Sequence, residues 1–205
     1  MARVTAERVL ETKRELLVAA RLVLTRDGLA NLSTRAVAQA AGTQMSQIQY
    51  HFGSKEGMIL ALFEYLNSQL IHRQSRTFED PELSVSEKWA LSCDYLDEDL
   101  ASGYVRVLME LTAAGWSNPA IGAAVRSAYG QWRDLILRLT RELEAQNGSL
   151  GPFTAEEVGA LVSASFIGAE AAIVLGYESP EIPFRDALRR FGKVIEYFES
   201  KETLE

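Results

Sequence analysis

The sequence predicts an all-α fold in two parts: a three-helix helix-turn-helix head, then a longer helical body. Three observations predict it. Apolar residues recur at three- and four-residue spacings along most of the chain. Strand-like alternation rich in valine and threonine is almost absent, and the interruptions fall at Gly, Pro and Asn-Gly or Ser-Pro turn chemistry. With 205 residues and 47% hydrophobic content the chain has ample material for a core, and 24% charged residues is ordinary for a soluble protein.

The first helical pattern, Ala6–Asp27, places Leu16, Ala20, Val23 and Leu24 on one face, and Gly28 supplies the stop. Ser33 is the expected N-cap of the next helix. The segment Thr34–Lys55, TRAVAQAAGTQMSQIQYHFGSK, carries the most information. Ala38 lets two helices cross closely, Gly42 turns the chain, and Val37, Ala41, Ile48 and Phe52 supply an apolar wedge. The second helix then projects Ser46, Gln47, Gln49 and Tyr50, as expected of a helix that reads DNA. Gly53-Ser54 breaks the pattern, and Ser54 can cap a long helix to about Thr77, with Met58, Leu62, Tyr65, Leu66 and Leu70 on one side. The expected division is residues 1–53 for the head and 54–205 for the body.

After the loop Phe78–Leu83, helical patterns run over Ser84–Ala101, Tyr104–Trp116, Asn118–Gln146, Thr154–Gly176 and Pro183–Ser200. Pro180 blocks continuation of the fourth, and Pro183 suits the first turn of the fifth. Val158–Tyr177 is apolar enough to need a membrane check. Glu170 splits it into uncharged runs of 12 and 7 residues, each short of the ~18 a span requires. It reads as a buried helix of a water-soluble protein, with no membrane partner.

The net charge of −7 divides unevenly. Residues 1–57 hold eight Lys/Arg against five Asp/Glu, a surplus of +3, and the remainder holds 13 basic and 23 acidic residues, or −10. Phosphate affinity depends on local charge, so a mildly basic head on an acidic body suits DNA binding and discourages indiscriminate coating of nucleic acid. The single cysteine, Cys93, cannot form an internal disulfide, and no Cys/His cluster has metal-ligand spacing. The charged start, MARVTAERVLETKREL, lacks the apolar core of a signal peptide, so a reducing cytoplasm is the expected compartment. No nucleophile–base pair, phosphate loop or metal constellation is present, and the two histidines are His51 and His72. An enzyme is therefore not expected, and no cofactor is called for.

At this point the residues resemble the TetR family of bacterial transcriptional regulators, over Leu16–Met58 at motif level. The family's recognition helix ends in an aromatic pair, His-Phe and a lysine three residues on. Tyr50-His51-Phe52 and Lys55 fit, while Gln49 stands where the first aromatic usually lies. Thr43-Gln44 replaces the usual apolar-then-serine turn pair. Gln44 is a poor N-cap, so Thr43 or Ser46 is the expected cap, with the helix start shifted by a residue or two. The resemblance implies that Thr34 and Arg35 approach the duplex at the start of the second helix. Met45, Ser46 and Gln47 would face base edges, with Tyr50, His51 and Lys55 against phosphates. Glutamine suits adenine, arginine suits guanine, and methionine suits a thymine methyl. His51 is equally open to a half-buried role bonding a backbone carbonyl, Tyr50 to packing and Gln49 to simple solvation. Arg3 and Arg8 either reach a groove or form a disordered basic start.

For the body the resemblance implies a small-molecule effector pocket, homodimerisation through the last two helices, and repression of an inverted-repeat operator relieved by a mostly hydrophobic ligand. Pocket candidates are Leu62, Trp89, Cys93, Tyr104 and Met109, with Trp116, Trp132 and Phe166 as further aromatic walls. Glu110 is a candidate polar anchor, and it or Glu170 pairs with an arginine, a hydroxyl or a ligand cation. Arg106, four residues before Glu110, is in reach. Small residues on Thr154–Gly176, among them Ala164, Gly168 and Ala172, with Phe191 and Ile195 on the last helix, are the expected dimer interface. The alternative reading is a helical regulator or adaptor controlled by a protein partner.

Overall fold

A computed structural model describes residues 2–200, with side chains from Glu7 onward. The described residues form nine helices: α1 (Ala2–Asp27), α2 (Thr34–Ala40), α3 (Met45–Phe52), α4 (Lys55–Phe78), α5 (Val85–Ser102), α6 (Tyr104–Gly115), α7 (Pro119–Asn147), α8 (Ala155–Val174) and α9 (Phe184–Ser200). Extended pairing among them is limited to two isolated bridges, Leu150–Phe153 and Ser179–Ile182. The fold is all-α, as the periodicity predicts. Because α1 runs from Ala2, Arg8 stands exposed on a helix, not in an irregular start. The side chain of Arg3 lies outside the described residues.

The chain forms two compact units, Met1–Gln69 with Arg106–Arg126, and Leu70–Val105 with Ser127–Glu205. The sequence places the division at residue 53, whereas these units share α4, α6 and α7 between them. Helix length is the physical reason. A 24-residue helix such as α4 extends ~36 Å at ~1.5 Å per residue, further than one small core can cover.

In the first unit, Leu16, Ala20, Val23 and Leu24 of α1 are at most 1% exposed, together with Val37, Ile48, Met58 and Leu62. Ala38, 3% exposed, is the small residue at the helix crossing. The caps at Gly28, Ser33 and Ser54 are those the sequence signals. Gly28 closes α1 at φ 77°, the Ser33 hydroxyl accepts from the Ala36 amide at 3.1 Å, and that of Ser54 accepts from Gly57 at 2.9 Å. Gly57 itself is forced by proximity: a Cβ there would fall 2.1 Å from the carbonyl oxygen of Phe52. The first turn of α4 is thereby seated directly under the end of α3.

In the second unit, α5 and α8 begin with full capping boxes, Ser84 with Glu87 and Thr154 with Glu157. Helix α5 packs on α9, where the Trp89 indole N–H donates to the Leu188 carbonyl at 2.8 Å and Glu199 accepts from the Ser86 amide and hydroxyl. Helices α7 and α8 run antiparallel. Their register is marked by Trp132 against Phe166 at 5.4 Å, Thr140 donating to the Ala155 carbonyl at 2.9 Å, and Arg141 paired with Glu156 at 2.7 Å. Helix α8 is long and apolar enough to cross a membrane by length and composition, with mean hydropathy 1.5 over its most apolar stretch. Here it packs against α5 and α9.

Candidate DNA interface and the apolar cleft

Helix α3 is held by a single buried residue, Ile48, at 1% exposure. Most of the residues around Ile48 are turned outward, with His51 and Phe52 half-buried at the C-terminal end. Met45 is 51% exposed and Tyr50 72%, Ser46 and Gln49 are also exposed, and Gln47 is half-buried. The N-cap is Gln44, in extended backbone at ψ 148° and with no side-chain cap bond. Neither Thr43 nor Ser46 takes over, and the helix start is not displaced beyond Met45. At the far end Gly53, at φ 73°, donates to the Gln49 carbonyl and ends the helix. Arg35 at the head of α2 and Lys55 at the head of α4 are exposed, and Thr34 is half-buried. The first unit thus carries the eight residues expected at DNA, with the exposed ones concentrated on α3 and on the first turns of α2 and α4.

His51 is half-buried, its ring edge-on to Tyr50 at 5.0 Å and 6.1 Å from that of Phe52. Desolvation, then the nearby charge of Lys13, hold its pKa below the ordinary histidine value. The free protein therefore presents a neutral imidazole near pH 7, a hydrogen-bonding group more than a cation. Lys13 was not among the sequence candidates. Its ammonium lies 5.8 Å from the centre of the Phe52 ring, adding positive charge beside the end of α3. The signal was present: Lys13 extends the stripe of Leu16, Ala20 and Val23 by one turn along α1.

The effector-pocket candidates fall into both units. In the first, Leu62 is fully buried in the core and Met109 half-buried. Glu110 is not a free polar anchor. It accepts a hydrogen bond from the Leu29 backbone amide and pairs with Arg106 at 3.2 Å. Trp116 does not line a cavity, being 86% exposed, because α6 ends at Gly115 and the tryptophan stands in the turn beyond. In the second unit, Cys93, Tyr104 and Phe166 are buried and Trp132 half-buried, while the Trp89 indole is committed to Leu188. Burial pushes the Cys93 thiol up to about 11, so it is unreactive.

An open cleft of about 910 Å³ lies in the second unit between α8 and α9, with Trp89, Ile136 and Leu143 at its floor. Of the pocket candidates only Trp89 borders it, whereas four expected interface residues do: Ala164, Gly168, Phe191 and Ile195. Ala164 and Gly168 are exposed and Phe191 is 40% exposed, but Ile195, at 6%, already belongs to the core. Ala172 is half-buried. The exposed apolar row continues beyond the expected residues, through Leu161 at 57% on α8, Leu175 at 82% just past its end and Val194 at 45% on α9.

Comparison with known proteins agrees with this geometry. The family model for bacterial regulatory proteins, tetR family, matches residues 16–62. The HTH-type transcriptional regulator CymR of Pseudomonas putida is 29% identical over 128 residues, covering 60% of this chain and 61% of that protein. The HTH-type transcriptional regulator UidR of Escherichia coli K12 is 24% identical over 147 residues, 69% of this chain and 70% of that one. Among solved structures, a TetR transcription regulator from Haloarcula marismortui superposes with a TM-score of 0.76 at 16% identity, over 90% of this chain and 96% of that one. The matched stretch of CymR is thus under two thirds of its length, and the likeness to the solved structure is one of fold.

Proposed function

We propose that this chain is a member of the TetR family of bacterial regulatory proteins, to which it is similar over residues 16–62, and that it is a homodimeric, cytoplasmic transcriptional regulator that represses from an inverted-repeat operator. In this reading α3 enters the major groove. Met45, Ser46 and Gln47 meet base edges, Thr34 and Arg35 approach the duplex at the head of α2, and Tyr50, Lys55 and a protonated His51 contact the flanking phosphates. A small ligand in the helices of the body releases the protein from DNA. It can do so only by binding the released conformation more tightly than the bound one, and a coupling of ~1–3 kcal/mol is typical of such switches.

The observation that carries the reading is the split character of α3. One buried residue, Ile48, fixes the helix, while Met45, Ser46, Gln49 and Tyr50 are left exposed. Met45 and Tyr50, both more than half exposed, are free to meet a partner's surface. On an inverted-repeat operator two such helices would enter the groove near one helical turn apart, ~34–36 Å, or somewhat more.

The test is enrichment of a duplex from a random library, followed by binding measurements on that duplex and on a scrambled one. Lys55→Ala should weaken both alike and lower the salt slope by about 1. Gln47→Ala should instead cost about 1–3 kcal/mol on the enriched duplex alone and relax the preference at particular bases. Identical losses for both variants on both duplexes would overturn the assignment of roles.

A further inference from the structure

The turn between α6 and α7 closes on two glycines. Gly115, the last residue of α6, and Gly122, in the first turn of α7, press backbone to backbone. A Cβ on Gly115 would lie 2.9 Å from the Gly122 Cα, and one on Gly122 would lie 2.7 Å from the Gly115 carbonyl oxygen. Glycine at both positions lets the helices close this near their ends. Asn118 then fixes the turn from two sides. Its Oδ1 accepts from the amides of Ala120 at 3.0 Å and Ile121 at 3.1 Å, capping α7, and its Nδ2 donates to Glu56 in the first turn of α4 at 3.0 Å. At the apex stands Trp116, 86% exposed.

The apex residue carries one of the largest apolar surfaces available to a side chain. Its backbone is held in one place, because the amides of Trp116, Ser117 and Asn118 donate back to the carbonyls of Ala113 and Ala114. Glu56, to which the turn is tied, follows Lys55, the expected phosphate contact. The turn therefore stands beside the end of α4 expected at DNA, within the same compact unit. Its charge suits that position. The body as a whole has a surplus of acid, yet residues 111–133 contain no Asp or Glu, and Glu56 is already bonded to Asn118. A fixed, exposed apolar group on an acid-free turn next to a phosphate-binding lysine fits the flank of a duplex, where deoxyribose carbons are apolar and phosphates repel carboxylates.

We propose that the α6–α7 turn is a second DNA-contacting element, in which the Trp116 indole packs on the sugar–phosphate strand next to the phosphate held by Lys55. This rests on reading the first unit as the DNA-binding head, and it extends the footprint beyond α2, α3 and the start of α4. The ring covers sugar carbons, and its N–H can donate to a phosphate oxygen. A contact to the backbone adds affinity without reading sequence. Made by an uncharged group, it releases no counterion. Asn118 and Glu56 act as positioning residues that keep the indole in register with Lys55.

The experiment uses the intact protein and labelled duplexes, one enriched from a random library and one scrambled, read by fluorescence anisotropy across a salt series. Trp116→Ala should lower affinity about tenfold on both duplexes, the effect of leaving on the order of 60 Å² of apolar surface uncovered, with the salt slope unchanged. Trp116→Phe keeps an apolar ring and should recover most of the loss. Trp116→Glu should lose more than Trp116→Ala at low salt, because a carboxylate meets phosphate, and the two should converge as salt rises. Tryptophan emission gives a readout independent of affinity. Trp89 is 4% exposed and Trp132 half-buried, so saturating duplex should shield the native chain from acrylamide quenching and W116F should lose most of that shielding. The side chain is exposed, so none of the variants should change the thermal midpoint or self-association. Equal affinity of W116A and the native chain, or undiminished shielding in W116F, would overturn the contact and leave DNA binding by the head standing. An affinity loss that sedimentation traces to lost self-association would overturn it in favour of a subunit contact. No binding of either duplex by the native chain would overturn both readings.

Discussion

The Glu110 carboxylate accepts a hydrogen bond from the backbone amide of Leu29, 81 residues earlier in the chain. Leu29 follows Gly28, the stop of α1, and four residues later Ser33 caps α2. The carboxylate lies 3.5 Å from where a Cβ on Gly28 would sit, and Arg106, one turn back on α6, steadies it at 3.2 Å. The connection leading into the helix-turn-helix is thus fastened to α6 by one side chain.

Glu110→Ala should free that connection. Hydrogen bonds to charged groups contribute ~1.5–3 kcal/mol, and the partial exposure of this one argues for a loss near the lower figure, about 1.5 kcal/mol. The measurement is urea denaturation followed by circular dichroism. Affinity for an enriched duplex should fall by more than the stability loss explains, because α2 would enter the turn with less defined geometry. Glu110→Gln keeps an acceptor and should recover most of the stability. Equal stability of E110A and the native chain would show that the amide finds water at no cost.

Gly57 makes a second, stricter demand. A Cβ at this position would meet the Phe52 carbonyl oxygen at 2.1 Å, and backbone cannot swing aside as a side chain can. Gly57→Ala should therefore displace the end of α3 and cost about 2–3 kcal/mol, in spite of alanine's better helix propensity. An unchanged unfolding midpoint would mean that α4 can shift without disturbing α3.

Much of this head was legible in the sequence. The stripe on α1, the caps at Ser33 and Ser54, the glycine stops and the wedge residue Ile48 all follow from local rules that act within a few residues. What was not legible acts across the chain. Nothing local to Glu110 says that it will meet an amide 81 residues away, and periodicity cannot tell that α6 stops one residue before Trp116. The interface stripe was read from small residues. Its flanking large ones, Leu161 and Leu175, look like core until the structure exposes them. Glu170 was noticed for its apolar surroundings, but that burial would push its carboxyl up to about 8 depended on how the helices around it assembled.

His51 gives a pH dependence whose sign can be worked out. Its folded-state pKa lies below the ordinary value, through desolvation first and Lys13 second. The unfolded chain therefore takes up the proton first, and stability present above the ordinary histidine range is lost as pH falls through it. His51→Gln should flatten the stability profile between about pH 7 and pH 5. Phosphate favours the protonated ring, so DNA affinity should instead rise over the same acidification, and H51Q should remove that rise as well. A native chain whose DNA affinity ignores pH across this range would place the imidazole away from phosphate.

Gly168 discriminates most sharply between a bare and a covered α8. A Cβ at this position meets nothing within 4 Å, and the residue is exposed in mid-helix. In an isolated chain Gly168→Ala should stabilise the helix by up to about 1 kcal/mol, since glycine is the poorer helix former. In a dimer that brings two α8 helices into close approach, the added methyl would strain the contact and weaken association. Gly168→Arg, placed in the row of Leu161, Ala164 and Leu175, should go further and give monomers without tight binding to an enriched duplex, because a single half-site makes too few contacts. Sedimentation equilibrium of the native chain and both variants measures this directly. If G168R remains dimeric with full affinity, the interface lies elsewhere and the exposed row on α8 needs another partner.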